Sequence, residues 1–294
     1  METVIVIFLA LMGMVVGVAA GLIGVGGALL SIPALLYVYP VLFPSLPTFP
    51  MTAITSITAV QSLAAGFSSA RVHWKKGNTN LKLVAAVGGW SMLGGFMGGA
   101  STHWFNDHTL KVLYALLLST VTLFLLQKHF SLQAEREAES ASEGTLVYAQ
   151  RENQNQSDET YQTQSTGIDP LKGRYLPVAA VSVLIGVSAG ILGVGGAVFI
   201  MPVFSHWLKM PIRLAIGSTT GVTAMTCVAS VLGKLQGGDF PFFESLLVSA
   251  GALLGANIGA KLSFKVSESR LLLLFLAVVI VTLLRVCVEL VLGH

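Results

Sequence analysis

The sequence predicts an all-α polytopic membrane protein built from two inverted repeats, each a glycine-broken re-entrant helix pair followed by three transmembrane helices. Three observations lead there. The chain is 54% hydrophobic and only 11% charged, whereas a soluble domain carries roughly 25% charged residues. The stretch from Gly17 to Pro33, GVAAGLIGVGGALLSIP, returns without a gap 169 positions later as GVSAGILGVGGAVFIMP, from Gly186 to Pro202. Finally, the Lys and Arg residues fall almost entirely on one side if each glycine-rich run turns back on itself.

Taken in order, apolar runs of spanning length occupy residues 4–39, 52–72, 81–103 and 109–130. A second set follows at 175–208, 212–233, 241–263 and 270–292. A spanning helix needs about 20 apolar residues. The first run of each half, at 36 and 34 residues, is too long for one straight span. Gly24–Gly27 and Gly193–Gly196 divide these runs. Residues 131–172 hold eight of the fourteen acidic residues and are rich in Gln, Ser and Thr; such a segment reads as a solvated linker. The expected division is a first repeat over 1–130, a polar linker over 131–174 and a second repeat over 175–294. Weaker correspondences continue past the glycines. Ala53–Val60 resembles Ala215–Val222, and Gly94–Gly99 resembles Gly255–Ala260. Small residues four apart let membrane helices approach closely, so Gly94/Gly98 and Gly255/Gly259 are expected to serve packing.

Charge chooses between two topologies. If each broken run crosses once, the 17 Lys and Arg residues divide 11 to 6. If each run dips, turns at Gly-Val-Gly-Gly and returns, only Lys111, Lys234 and Arg285 remain opposite, a division of 14 to 3. Cytoplasmic loops are enriched in Lys and Arg, which favours the second arrangement, with both termini outside and the linker inside. The segments 4–23 and 175–192 are nearly long enough to span, so they must tilt or begin outside the hydrocarbon.

Two glycine breaks at corresponding places in two apolar halves point to a transporter site. Non-helical backbone at membrane depth persists only where protein buries it or where it lines a wet cavity. After each turn a helix can begin, at Ala28 and at Ala197, and its free N–H groups with the positive end of its dipole favour an anion. The expected substrate-binding residues are Gly24, Gly26, Gly27, Thr55 and Ser56 in the first half, with Gly193, Gly195, Gly196, Ser218 and Thr219 in the second. The hydroxyls, Thr220 included, can equally cap helices. All fourteen acids lie in the linker, at termini or near span ends. Cation carriers often keep an acid mid-span; its absence favours a neutral or anionic solute.

Other features carry less. The net charge of +3 gives no reason to expect nucleic acid as a partner; the partners expected are the lipid bilayer and a small anion. Cys227 and Cys287 sit in apolar runs and read as small buried hydrophobes. No cleavable leader is expected, because residues 1–7 contain no Lys or Arg. The turn from Arg71 to Lys76 reads as an interfacial anchor. His103, Asp107 and His108 are too scattered to predict a metal site, and no cofactor is expected. With no nucleophile–base pair, nucleotide loop or HExxH spacing, no enzyme is expected.

With those residues in place, the chain resembles the TauE/SafE family of sulfite and organosulfonate permeases over about 4–130 and 175–290. The resemblance rests on Gly21–Gly27 with Pro33, Gly190–Gly196 with Pro202, the Thr/Ser segments, and the basic turn followed by Gly77 and Asn78. Where the family often has a third glycine this chain has Ala28 and Ala197, and Ile54-Thr55-Ser56 lacks the glycine kept as Gly217. The resemblance implies a plasma-membrane permease for small sulfur-containing anions such as sulfite or sulfoacetate, commonly an exporter. Two alternatives stay open: an uptake permease for a sulfur compound such as thiosulfate or a sulfonate, and a non-transporting membrane subunit that docks partners through the linker.

Overall fold

A computed structural model describes residues 2–23, 27–141, 175–204, 208, 210, 212–238, 240–263 and 279–289. Among them the regular structure is helical throughout, with no strand. Helix α1 is Glu2–Ile23. After the first break come α2, Ala28–Pro33, a π-helical turn, Ala34–Val38, and α3, Tyr39–Leu42, in one continuous path. Pro33 and Pro40 bracket the π turn; neither has an N–H to donate, which is why the α-helical ladder slips there. Then follow α4, Met51–Lys75, α5, Leu81–Ser101, and α6, Asp107–Ala141. Asn80 caps α5 by accepting from the Leu83 N–H at 3.2 Å, and Asp107 places a negative charge in the first turn of α6. The second half contributes α7, Tyr175–Leu192, α8, Ala197–Pro202, α9, Ile212–Lys234, and α10, Phe242–Leu262. Helical residues 279–289 form α11.

Two expectations change. The segment read as a linker from residue 131 begins as helix, because α6 continues to Ala141. Gln133, Ala134, Glu135, Arg136, Glu137 and Ala138 are strong helix formers, and a spanning helix has already met the cost of nucleation. Residues 142–174 lie outside the described residues. Of the two cysteines, Cys227 is buried as expected, whereas Cys287 is exposed.

Among the described residues four helices are long and apolar enough to cross a membrane, over Thr3–Leu22, Leu81–Trp104, Leu214–Gly237 and Phe242–Leu262. Helix α4 is as long but carries Thr52, Thr55, Ser56, Thr58, Gln61, Ser62, Ser68 and Ser69. All of these except Thr52 are buried. The polar helix is therefore kept from lipid by its neighbours. Packing runs in the order α1, α10, α4, α9, α5, α7. This row is symmetric about the α4–α9 pair, and the halves interleave: α1 of the first packs on α10 of the second, and α7 of the second on α5 of the first.

Glycines set these contacts and their directions. Gly13, Gly17 and Gly21 of α1 face Val248, Ala252 and Ala256 of α10, so those helices are parallel. Gly94 and Gly98 of α5 face Val183 and Val187 of α7, also parallel. Gly95 and Gly99 face Thr226 and Ser230 of α9, parallel again. The central pair is antiparallel: Thr55 near the start of α4 meets Lys234 at the end of α9, and His73 near the end of α4 meets Gly217. Because α10 folds back from α9, it runs with α4, and so does α1. The packing role expected of Gly94, Gly98, Gly255 and Gly259 is what these contacts show, each glycine lying against a backbone carbonyl.

Candidate functional site

The second break, and Gly27 of the first, lie against the α4–α9 pair. Gly193 sits on α4, where an added β-carbon would meet the Thr55 carbonyl oxygen, Thr58 Oγ1 at 2.9 Å and the Ala59 nitrogen at 3.0 Å. Its carbonyl accepts a hydrogen bond from Ser62 Oγ at 3.3 Å. Gly195 faces α9, beside Thr223 and Cys227. Gly193, Gly195 and Gly196 have φ of 68°, 77° and 75°. That is left-handed backbone, which glycine adopts at little cost. Gly196 ends the turn as the N-cap of α8, and Gly27 does so for α2; neither cap has a side-chain hydrogen bond. Gly27 lies by Val16 and Ala20, and Gly196 by Ile185 and Ala189. Those neighbours are separated by the same 169 positions as the repeat. Gly24 and Gly26 lie outside the described residues.

The hydroxyls predicted to join these glycines divide between two ends. Thr55 Oγ1 and Ser56 Oγ each donate to the Thr52 carbonyl at 2.9 Å, and Thr55 Oγ1 also accepts from Lys234 Nζ at 3.0 Å. Ser218 Oγ accepts from the Asn80 N–H at 3.0 Å, at the far end of the pair. Thr219 is fully buried beside it in sequence, its hydroxyl without a hydrogen-bond partner. Thr220 Oγ1 bonds the Gly217 carbonyl. The reason for the division is geometric: equivalent positions near the starts of two antiparallel helices lie at opposite ends, here about 25 Å apart at ~1.5 Å per residue.

The middle of the pair holds residues that sequence reasoning missed. Helices α4 and α9 approach closely where Gly66 lies against Thr220 and Ala224. Near this crossing Gln61 is fully buried, and neither its amide nitrogen nor its oxygen has a hydrogen-bond partner. Thr223 Oγ1 is in the same state. Gln61 Nε2 would lie 2.9 Å from a β-carbon on Gly27, and Thr223 lines Gly195. Each break thus has an orphaned polar group beside it. Buried polar groups are nearly always paired, and an exception in a native fold calls for a reason. The signal was present in the repeat: the register that aligns Ala53 with Ala215 also aligns Gln61 with Thr223.

Removing an orphaned amide forfeits no bond, so an apolar isostere there is near-neutral for stability. Gln61→Leu is expected to keep the wild-type thermal unfolding midpoint and to lower substrate flux at least about tenfold, the kinetic equivalent of ~1.4 kcal/mol. Flux in proteoliposomes and a thermal melt of the same preparation check both halves of this expectation.

A second polar region lies at the Lys234 end. A cleft of about 690 Å³ is lined by Tyr37, Asp107, Lys111, Arg285 and Glu289 among others. Its charges answer one another. Lys111 pairs with Glu289, Tyr37 donates to Glu289 at 2.8 Å, and Arg285 lies 5.4 Å from the Tyr37 ring centre. With Lys111 and Glu289 neutralising each other, it reads as a vestibule.

The doubled glycine breaks on a polar, acid-free helix pair can hold a small polar solute at the centre of an apolar bundle. Residues 9–286 match the family described as "Sulfite exporter TauE/SafE". The chain belongs to the TauE/SafE family. Its similarity to relatives runs nearly end to end. A "Probable membrane transporter protein" of Xylella fastidiosa is 26% identical over 89% of this chain and 86% of its own length. "Probable membrane transporter protein YdhB" of Bacillus subtilis is 25% identical over 83% and 85%. "Probable membrane transporter protein MJ0441" of Methanocaldococcus jannaschii is 19% identical over 90% and 88%. No solved structure matches the chain. This TauE/SafE member thus belongs to a family of membrane transporters.

Proposed function

We propose that this protein exports a small sulfur-containing anion, sulfite or an organosulfonate such as sulfoacetate, across the plasma membrane by alternating access. The observation that carries the reading is the central α4–α9 pair. It contains no Asp or Glu, yet it buries the orphaned Gln61 amide and Thr223 hydroxyl beside the two glycine breaks. Gly24, Gly26, Gly27, Gly193, Gly195 and Gly196 present backbone to the solute. Thr55 and Ser56 at one end, and Ser218 and Thr219 at the other, mark its way in and out. With the inside negative, leaving the cell is favourable for an anion by about 2.3 kcal/mol per charge per 100 mV. Export then needs no coupling ion.

The two halves act as inverted repeats. Supporting this, α1 and α4 run one way while α7 and α9 run the other, so each broken run has to come back between its two flanking helices. Arg71, Lys75, Lys76, Lys82 and Lys261 gather at one end of the bundle, and Lys111, Lys234 and Arg285 at the other. The positive-inside rule makes the first end cytoplasmic, with the termini outside and residues 131–174 inside. Single cysteines introduced near Met1 and within 142–174 are expected to react with an impermeant thiol reagent from opposite sides of the membrane. Labelling of both from one side refutes the inverted arrangement.

The function itself is tested by uptake and efflux of labelled sulfite, sulfoacetate, taurine and thiosulfate in proteoliposomes. Potential-driven efflux of at least one of them is expected. Flux of none, from protein that is folded and inserted, overturns the reading.

A further inference from the structure

Among the described residues, Lys234 is a basic side chain that touches the site and that the function above leaves without a role in it. It is 6% exposed, at the end of α9. Its ammonium donates to Thr55 Oγ1, Thr102 Oγ1 and the Ile191 carbonyl, each at 3.0 Å. All three acceptors are neutral. Among the described residues the one ion pair is that of Lys111 with Glu289, so no described carboxylate neutralises Lys234. A buried charge without a counter-charge is costly, and chains that keep one inside a membrane bundle use it.

Its neighbours say for what. Thr55 is the residue whose carbonyl Gly193 packs against, and Ile191 lies two positions before Gly193 on the same break. The ammonium is thus fastened to both walls of the second glycine break. At the other end of the central pair the corresponding place belongs to His73, which lies against Gly217 as Lys234 lies against Thr55. Among the described lysines Lys234 is the buried one, at the end assigned to the outside.

We propose that Lys234 is a substrate-binding residue, supplying the fixed positive charge that holds the anion at the second glycine break. This rests on the anion-transport reading above and adds the group that gives the site its sign. An ammonium bonds an oxyanion more strongly than a neutral oxygen, so an arriving sulfite or sulfonate oxygen takes the place of one of the three neutral acceptors. The anion is thereby held at the second break, at the Lys234 end of the central pair.

The test is the KM for labelled sulfite in proteoliposomes carrying wild type, Lys234→Gln or Lys234→Arg. Glutamine keeps a hydrogen-bond donor for the two threonines and removes the charge; arginine keeps the charge. The inference expects Lys234→Gln to raise KM at least tenfold and Lys234→Arg to recover most of that loss. A wild-type KM in Lys234→Gln, whatever happens to its thermal stability, reduces the side chain to a pin between helices and overturns the inference while leaving anion transport standing. Should Lys234→Gln not be recovered folded, Thr102→Asp decides. A carboxylate beside the ammonium neutralises it in place, and a tenfold higher KM at undiminished stability is expected, an unchanged KM being the overturning result. If wild type itself moves none of the four anions, the transport reading fails first, and this inference with it.

Discussion

Gly195→Val abolishes transport while leaving the protein folded and inserted. The residue has φ of 77°, and a β-branched side chain held in left-handed backbone costs roughly 1–3 kcal/mol. The new β-carbon would lie 2.5 Å from Thr223 Cγ2 and 2.8 Å from Cys227 Sγ. Both are ends of side chains, which can turn aside, so the bundle survives and the break does not. The break reopens in another conformation, and Thr223 leaves the place it holds beside the break. A displacement of about 1 Å in a positioning element can cost about a hundredfold in rate, and a loss of that size in sulfite flux is expected. Gly26→Val is expected to act alike at the first break, by its place in the repeat. Normal flux in both variants refutes the glycine breaks as the site.

Gly98→Val, in contrast, prevents a folded protein from accumulating. A β-carbon there would strike the Val187 carbonyl, 2.9 Å from its carbon, and lie 3.0 Å from the Ile191 nitrogen. These are backbone atoms of α7, and no rotamer change relieves them; α5 and α7 must separate. Overpacking a core costs about 1–3 kcal/mol where side chains can adjust, and more is expected where they cannot. In lipid no hydrophobic gain remains to offset it, since close packing is itself what joins the helices. Detergent extracts of Gly98→Val are expected to lose the monodisperse peak on size exclusion. Gly89→Val is the control, because nothing lies within 4 Å of its β-carbon. A normal peak for Gly98→Val means that α5 and α7 do not pack as described.

These two substitutions separate what glycine does in this chain, and the sequence foretold the separation. Runs of small residues four apart stood for packing, and the doubled Gly-Val-Gly-Gly stood for a break. Gly98 lies against the Val187 carbonyl and Gly195 takes left-handed backbone, as those patterns imply. The hydroxyls were less legible. Thr55, Ser56, Ser218 and Thr219 read from sequence equally as helix caps or as ligand contacts, and which end each holds depended on the helix directions. Gln61, near the centre of α4, passed unnoticed because a single amide in a Ser/Thr-rich helix has no pattern of its own. Lys234 counted only as a minority charge in a loop tally.

The sequence by itself determined that the chain lives in a membrane, that it is doubled, where each half breaks, and that its interior lacks acids. Composition, repetition and charge order are properties along one dimension, and each can be read off the chain directly. Only the tertiary structure decided that the halves interleave, that the polar α4 and α9 sit back to back at the centre, and that Lys234 is buried against a glycine break. Those facts depend on which helix lies beside which, and in which direction. In lipid that choice follows from close packing of small residues against distant backbone carbonyls: Gly17 against Ala252, and Gly98 against Val187. Such pairs lie far apart in sequence, and no local periodicity joins them.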